Sequence, residues 1–175
     1  MRDFAWTGPG FCGDRSPGRR TYCHPDVYQG AGVRLYHNEG NGRFRDTTTV
    51  TGLESAEGKC LGLVLTDFNN DGWPDIFVAN DTQPNKLYRN LRNGRFVDVG
   101  LQMGVALSED GKARAGMGVD VGDFDNSGQP GLAVTNFEGE KVGLYRAGDG
   151  GGFQEGATGA AVGRPESEWN GYYEV

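Results

Sequence analysis

Asp67-Phe68-Asn69-Asn70-Asp71-Gly72-Trp73-Pro74-Asp75 puts side-chain oxygens at its first, third, fifth and ninth positions and a glycine at its sixth. Alternate residues of a short loop point inward, so this spacing surrounds a hard cation with oxygen, and the glycine permits the sharp turn that closes the loop. Asp67, Asn69, Asp71 and Asp75 supply side-chain oxygens, with a main-chain carbonyl near Trp73 beside them. Three carboxylates and neutral oxygens match Ca²⁺, which takes about six to eight oxygen ligands, whereas Mg²⁺ demands a tighter octahedron and keeps more water. No His or Cys stands nearby to favour a softer metal. Position twelve is Val78, within an apolar run. The loop is therefore not an EF-hand, which needs a bidentate Glu there and helices on both sides.

Fifty-six residues later (67 to 123) the pattern returns less completely as Asp123-Phe124-Asp125-Asn126-Ser127-Gly128-Gln129-Pro130-Gly131. Asp123, Asp125 and Ser127 keep the first, third and fifth positions, and Gln129 takes the seventh as Trp73 does. Gly131 supplies no closing carboxylate. Fewer charges lower cation affinity, so the first loop is expected to fill at lower Ca²⁺ than the second.

Two related loops imply a repeat, and a second phrase marks it. Leu35-Tyr36-His37-Asn38-Glu39-Gly40-Asn41-Gly42-Arg43-Phe44 recurs as Leu87-Tyr88-Arg89-Asn90-Leu91-Arg92-Asn93-Gly94-Arg95-Phe96, then as Leu144-Tyr145-Arg146-Ala147-Gly148-Asp149-Gly150-Gly151-Gly152-Phe153. Asn-Gly between alternating segments signals a hairpin in the first two copies, and a glycine run replaces it in the third. Each oxygen-rich loop also lies between apolar runs of strand length, 61–68 and 76–79 for the first, 117–124 and 132–135 for the second. The unit is then strand, metal loop, strand, short link, strand, turn, strand: a four-stranded antiparallel meander the size of one propeller blade. The expected layout is an irregular segment 1–32, the second half of a blade at 33–57, a blade at 58–106 with loop 67–75, a blade at 113–162 with loop 123–131, and a divergent tail at 163–175. No helix longer than a turn or two is expected.

Composition agrees with many short strands and tight turns: 31 of 175 residues are glycine and 36% are hydrophobic. The net charge of −7 and the lack of a basic stripe speak against nucleic acid and anionic membrane as partners. No apolar run approaches the roughly 20 residues of a bilayer span. The first ten residues lack the apolar centre of a signal peptide, which fits a signal already removed or a piece of a longer protein. Cys12 and Cys23 flank a Gly/Arg/Pro-rich stretch and read equally well as a disulfide or as two free thiols. Cys60, before an apolar run, reads as a small core residue.

Other chemistry-bearing residues form no constellation. His24 and His37 have no nucleophile at a recognisable spacing, and His37 takes the repeat position of Arg89 on a strand surface. Ser55 and Ser108 lie in no nucleophile elbow. Asp81 follows a strand and is expected to cap its end through an Asx-turn. Trp73 and Phe137 sit on or beside turns. They could stack on sugars there, although packing between blades is the commoner fate. A loop that surrounds an ion with its own nine residues leaves little open coordination for substrate, which favours an ion that pins a turn over one that does chemistry.

Asp67-x-Asn69-x-Asp71-Gly72-x-x-Asp75-Ile76 and Asp123-x-Asp125-x-Ser127-Gly128, each before a blade hairpin, resemble FG-GAP/VCBS repeats, the blades of integrin-α-like β-propellers with Ca²⁺ in the strand 1–2 loop. Residues 78–90 and 115–124 are similar to those of the ASPIC/UnbV (cartilage acidic protein-like) group, and Phe11-Cys12-Gly13 looks like its Cys-Gly motif. The resemblance covers roughly 33–160. It implies an all-β fold with about two and a half blades of an expected seven, and Ca²⁺ at Asp67, Asn69, Asp71 and Asp75. Asp123 and Asp125 match that pattern, Ser127 is a weaker substitute, and Gly131 departs from it. It further implies secreted, extracellular or periplasmic location and a binding, adhesion or scaffold role for a glycan or protein ligand, with no catalysis by this segment. The alternative is a fragment of a propeller enzyme acting on polysaccharide. An incomplete ring would be an open wedge whose unpaired edges and apolar blade faces favour self-association.

Overall fold

The structure is a computed structural model that describes residues 28–53, 58–137, 139–148 and 152–156. The described residues form ten strands in three antiparallel sheets, with one helical turn. Strands β1 (Tyr36–Gly40) and β2 (Arg43–Asp46) pair alone, followed by α1 (Thr48–Thr51). The first blade runs in order through β3 (Cys60–Thr66), β4 (Asp75–Asn80), β5 (Lys86–Asn90) and β6 (Phe96–Asp98). The second repeats it as β7 (Gly116–Gly122), β8 (Gly131–Asn136), β9 (Gly143–Ala147) and β10 (Phe153–Glu155). This all-β architecture of four-stranded antiparallel blades is the one the repeats predict. Cys12, Cys23 and His24 lie outside the described residues, as does Ser55. Among the described residues, no helix is long and apolar enough to cross a membrane.

The turns follow local chemistry, with one departure. Asn41 and Gly42 both hold positive φ (52° and 74°), the two-residue hairpin turn that matches strand twist. The Asn93-Gly94 copy does not repeat it. There the positive φ values fall on Arg92 (61°) and Gly94 (78°), and Leu91 N–H closes a longer loop on the Arg95 carbonyl at 2.8 Å. Leu91 and Arg92 stand where the first copy has Glu39 and Gly40, and Arg92 keeps the positive φ that Gly40 holds there (84°).

Packing makes the repeat visible in three dimensions. After β2 the chain makes one helical turn (Thr51 N–H to Thr47 O) and buries Leu53 on Ile76, Val78 and Tyr88 of the first blade. Fifty-two residues on it makes the equivalent turn (Met103 N–H to Val99 O) and buries Val105 with Leu132, Val134 and Tyr145 of the second. The main core thus lies between the two blades, where Phe77, Ala79 and Leu87 of the first face Leu132 and Val134 of the second. Each fully buried side chain of this size contributes about 1.5–3 kcal/mol. Close approach of the inner strands requires glycine: a Cβ on Gly62 would lie 3.0 Å from the Gly118 Cα. Cys60 is half-buried against the smaller cluster, its thiol pushed up by burial, so it sits at the edge of the core and not within it.

Candidate metal centre

Both oxygen-rich loops connect the first and second strands of their blades. In the first, Asp67 accepts from Asp71 N–H (Oδ1, 3.0 Å) and Gly72 N–H (Oδ2, 2.7 Å). Asn69 Oδ1 also accepts from Asp71 N–H (3.1 Å), and Asp71 Oδ1 accepts from Trp73 N–H (3.0 Å). In the second, Asp123 accepts from Ser127 N–H and Gly128 N–H, both at 2.9 Å. Asp125 Oδ1 accepts from Ser127 N–H (3.1 Å), and Ser127 Oγ from Gln129 N–H (3.2 Å). Asn70 and Gly72 hold φ of 52° and 84°, and Asn126 and Gly128 hold 57° and 78°. The two loops therefore have the same conformation, bond for bond, at the first, third, fifth and seventh positions.

They part at the ninth. Asp75 is fully buried and accepts from Phe68 N–H (3.3 Å) and Asn90 N–H (2.7 Å), so it ties the loop to its own start and to β5. Burial pushes its carboxyl up, and the Asp71 and Asp67 charges add to this against the two hydrogen bonds. At Gly131 the Phe124 ring fills the equivalent space, and a Cβ there would come within 2.2 Å of the ring. Phe68, the counterpart of Phe124, instead turns into the core between the blades, where its ring centroid lies 6.1 Å from that of Phe153.

Two partners of the first loop carry no signal in the loop's own sequence. Arg92, in the β5–β6 turn, forks onto Asp71 Oδ2 (Nη2 2.9 Å, Nε 3.3 Å), and this bond holds the Asp71 carboxyl below its ordinary range. Asn90 Nδ2 donates to the Pro74 carbonyl at 3.1 Å. The recurring Leu-Tyr phrase, with Asn at its fourth position in the first two copies, marks Asn90, but Arg92 is distant in sequence and its turn differs from the first copy. Gln129 uses its side chain elsewhere: Oε1 accepts from Asn70 Nδ2 at 2.5 Å, linking the loops and leaving its main-chain carbonyl for the seventh position. In the second loop a hydrogen bond from Ser127 holds the Asp125 carboxyl low.

Among the described residues, no three Asp, Glu, His or Cys side chains are gathered as a ready-made metal cage. What fits a hard cation in the first loop is its donor chemistry: three carboxylates, one amide oxygen, and repulsion among Asp67, Asp71 and Asp75 that a cation would relieve.

Elsewhere the side chains serve structure. His37 is exposed on β1, as its repeat position predicts. Ser108 Oγ bonds Asp110 and the Lys112 carbonyl in the inter-blade turn. The cap expected of Asp81 is provided by Asn85, whose Oδ1 accepts from Asn80 N–H (3.0 Å) and whose Nδ2 reaches the Val105 carbonyl (3.3 Å). Trp73 and Phe137 are exposed and do not pack between blades, which corrects the expectation for both.

Blades of this strand order, each with an oxygen-rich strand 1–2 loop, define a β-propeller-type repeat. The chain belongs to the FG-GAP-like repeat family, which matches residues 23–78 and again 67–134. It is similar to cartilage acidic protein 1 of Mus musculus, 43% identical over 57 residues covering 33% of this chain and 9% of that protein. The Xenopus tropicalis protein of that name is 37% identical over 71 residues (39% and 11%), and the Homo sapiens protein 39% over 57 residues (33% and 9%). The matched stretch spans about a tenth of the length of these relatives.

Proposed function

We propose that this chain is a Ca²⁺-binding FG-GAP repeat module of an exported protein, serving as a scaffold for binding or adhesion and catalysing no reaction itself. One observation carries the reading: two loops of opposite completeness hold the same inward-oxygen conformation at equivalent points of two blades. Asp67, Asn69, Asp71 and Asp75 would hold the ion in the first, with the Trp73 carbonyl. Asp123, Asp125, Ser127 and the Gln129 carbonyl would hold a weaker one in the second. The ion supplies positive charge among crowded carboxylates, and the loop's residues fix the strand 1–2 turn around it.

Isothermal titration with Ca²⁺ tests this on the parent chain and on Asp71→Ala and Asp123→Ala. The tight site is expected to vanish in Asp71→Ala and to persist in Asp123→Ala. An unchanged tight site in Asp71→Ala removes the ligand assignment. A glycan array with and without EDTA identifies a Ca²⁺-dependent sugar ligand, and turnover of a polysaccharide would overturn the non-enzymatic role.

A further inference from the structure

The two oxygen-rich loops are joined, and the joint falls on one residue of each. Their first strands, β3 and β7, are neighbours across the blade interface, close enough that Gly62 faces the Gly118 backbone. The loops that follow these strands therefore meet: Asn70 Nδ2 donates to Gln129 Oε1 at 2.5 Å, across 59 residues of chain. Asn70, fourth in the first loop, lies between the ligand candidates Asn69 and Asp71 and holds the left-handed φ of 52° that turns the chain from one to the other. Its amide reaches out of its own loop and into the next.

Gln129 is well placed to pass that hold on. It is seventh in the second loop, the position whose main-chain carbonyl is the ligand candidate, and its N–H donates to Ser127 Oγ at 3.2 Å. Fixing its side chain steadies a ligand-bearing main chain. The second loop is also the one that lacks a tie of its own. Asp75 binds the first loop to its start and to β5 through two hydrogen bonds, and Gly131 has no side chain to do the same.

Resting on the cation-binding role proposed for the two loops, we infer that Asn70 is a positioning residue for the second: through Gln129 it couples the sites, so that filling the first loop raises the second loop's affinity for Ca²⁺. The Asn70–Gln129 bond is made while both loops hold their inward-oxygen conformation. Ordering of either loop therefore favours that of the other, and the coupling is reciprocal. Part of the ordering cost of the second loop is then already met when its cation arrives. Charge acts in the opposite sense, because a cation among Asp67, Asp71 and Asp75 weakens the attraction at Asp123 and Asp125, screened beyond roughly 8 Å at about 0.15 M ionic strength. The Asn70–Gln129 bond joins two neutral amides, so removing it leaves the charge effect in place and isolates what the bond contributes.

Titration with Ca²⁺ followed in ¹H–¹⁵N correlation spectra tests it, because the amides of Gly72 and Gly128, which donate to Asp67 and Asp123, read the two loops separately. The chains compared are the parent, Asp71→Ala, Asn70→Gly and the double variant. Glycine at 70 removes the amide and keeps the left-handed backbone without strain. Asp71→Ala, which empties the first loop, is expected to move the Gly128 midpoint to higher Ca²⁺ by roughly two- to fivefold more in the parent background than in Asn70→Gly, the effect of one hydrogen bond. Gln129→Met, which keeps the main chain and the side-chain length, is expected to give the same result in place of Asn70→Gly, so that added freedom at residue 70 does not account for it. A Gly128 shift on Asp71→Ala that is equal with and without the Asn70 amide overturns the inference and leaves both cation sites standing. So does an Asn70→Gly result that Gln129→Met fails to reproduce. Gly72 and Gly128 amides that both ignore Ca²⁺ overturn the cation-binding role itself, and the coupling with it.

Discussion

The first and second blades share strand order, register and turn, yet differ at two linked places. The first has a carboxylate at loop position nine and a phenylalanine turned into the core: Phe68 is 8% exposed. The second has glycine at position nine and a phenylalanine folded back over it: Phe124 is 43% exposed. The difference teaches that the loop and the blade face are one device. In the first blade the second loop residue points into the interface with the second blade and leaves room for the closing carboxylate of Asp75. In the second blade the ring turns back over Gly131 and takes the carboxylate's place.

The comparison can be broken in several ways. The largest expected effect is loss of the fold at high pH. Tyr88 and Tyr145 occupy the same position in the two blades, and burial, reinforced by Asp98 and Cys60 for Tyr88 and by Glu155 for Tyr145, pushes both up to about 12 from the ordinary 10.0. A raised phenol pKa means that the folded state holds the proton more tightly. Its stabilisation is complete below the unfolded pKa and is lost as pH rises through the window toward 12. Tyrosinate absorbance and circular dichroism should change together in that window, and Tyr88→Phe should move unfolding upward. Ionisation of both phenols at ordinary pH with the fold intact would refute their burial.

Next is the core between the blades. Phe77→Ala is expected to cost about 3–5 kcal/mol in urea unfolding, because it opens a cavity against the second blade. At the equivalent half-buried position of the second blade, Ala133→Gly should cost no more than about 1 kcal/mol. Equal losses would mean that the two faces are covered alike.

The third test exchanges the loop closures. Asp75→Ala leaves Phe68 N–H and Asn90 N–H without an acceptor, and is expected to cost about 2 kcal/mol or more and to weaken Ca²⁺ at the first loop at least tenfold. Gly131→Asp combined with Phe124→Ala should tighten the second loop by about tenfold, since the ring no longer fills the carboxylate's space. Gly131→Asp alone should fail to do so. The smallest effect belongs to Arg92→Ala. Its ion pair lies at the surface, where solvent screening leaves it little weight in stability, while freeing Asp71 should raise Ca²⁺ affinity a few-fold. A fall in affinity would make Arg92 a support of the site and not a competitor.

Much of this was legible in the residues. The oxygen spacing gave both loops, and the recurring Leu-Tyr phrase gave the hairpins, because turn chemistry and alternation are local. The missing carboxylate at Gly131 was also plain. What filled its place was not, because Phe124 and Phe68 are the same residue type in the same motif position, and their different directions depend on contacts made in three dimensions. Arg92 on Asp71 is not legible for a related reason: it arrives from a turn that closes differently from its Asn-Gly counterpart. Packing between blades is the commoner fate of aromatics like Trp73 and Phe137, yet both are exposed on or beside their turns.

The central claim is that residues 67–75 form the tighter cation site, and Trp73 provides its own reporter. Terbium, a luminescent substitute for Ca²⁺, emits when excited through an indole a few ångströms away. Titrated with Tb³⁺, the parent chain should show Trp-sensitised emission that Ca²⁺ displaces, Asp123→Ala should retain it, and Asp71→Ala should lose it. Emission that survives in Asp71→Ala, or that disappears in Asp123→Ala, would contradict the assignment.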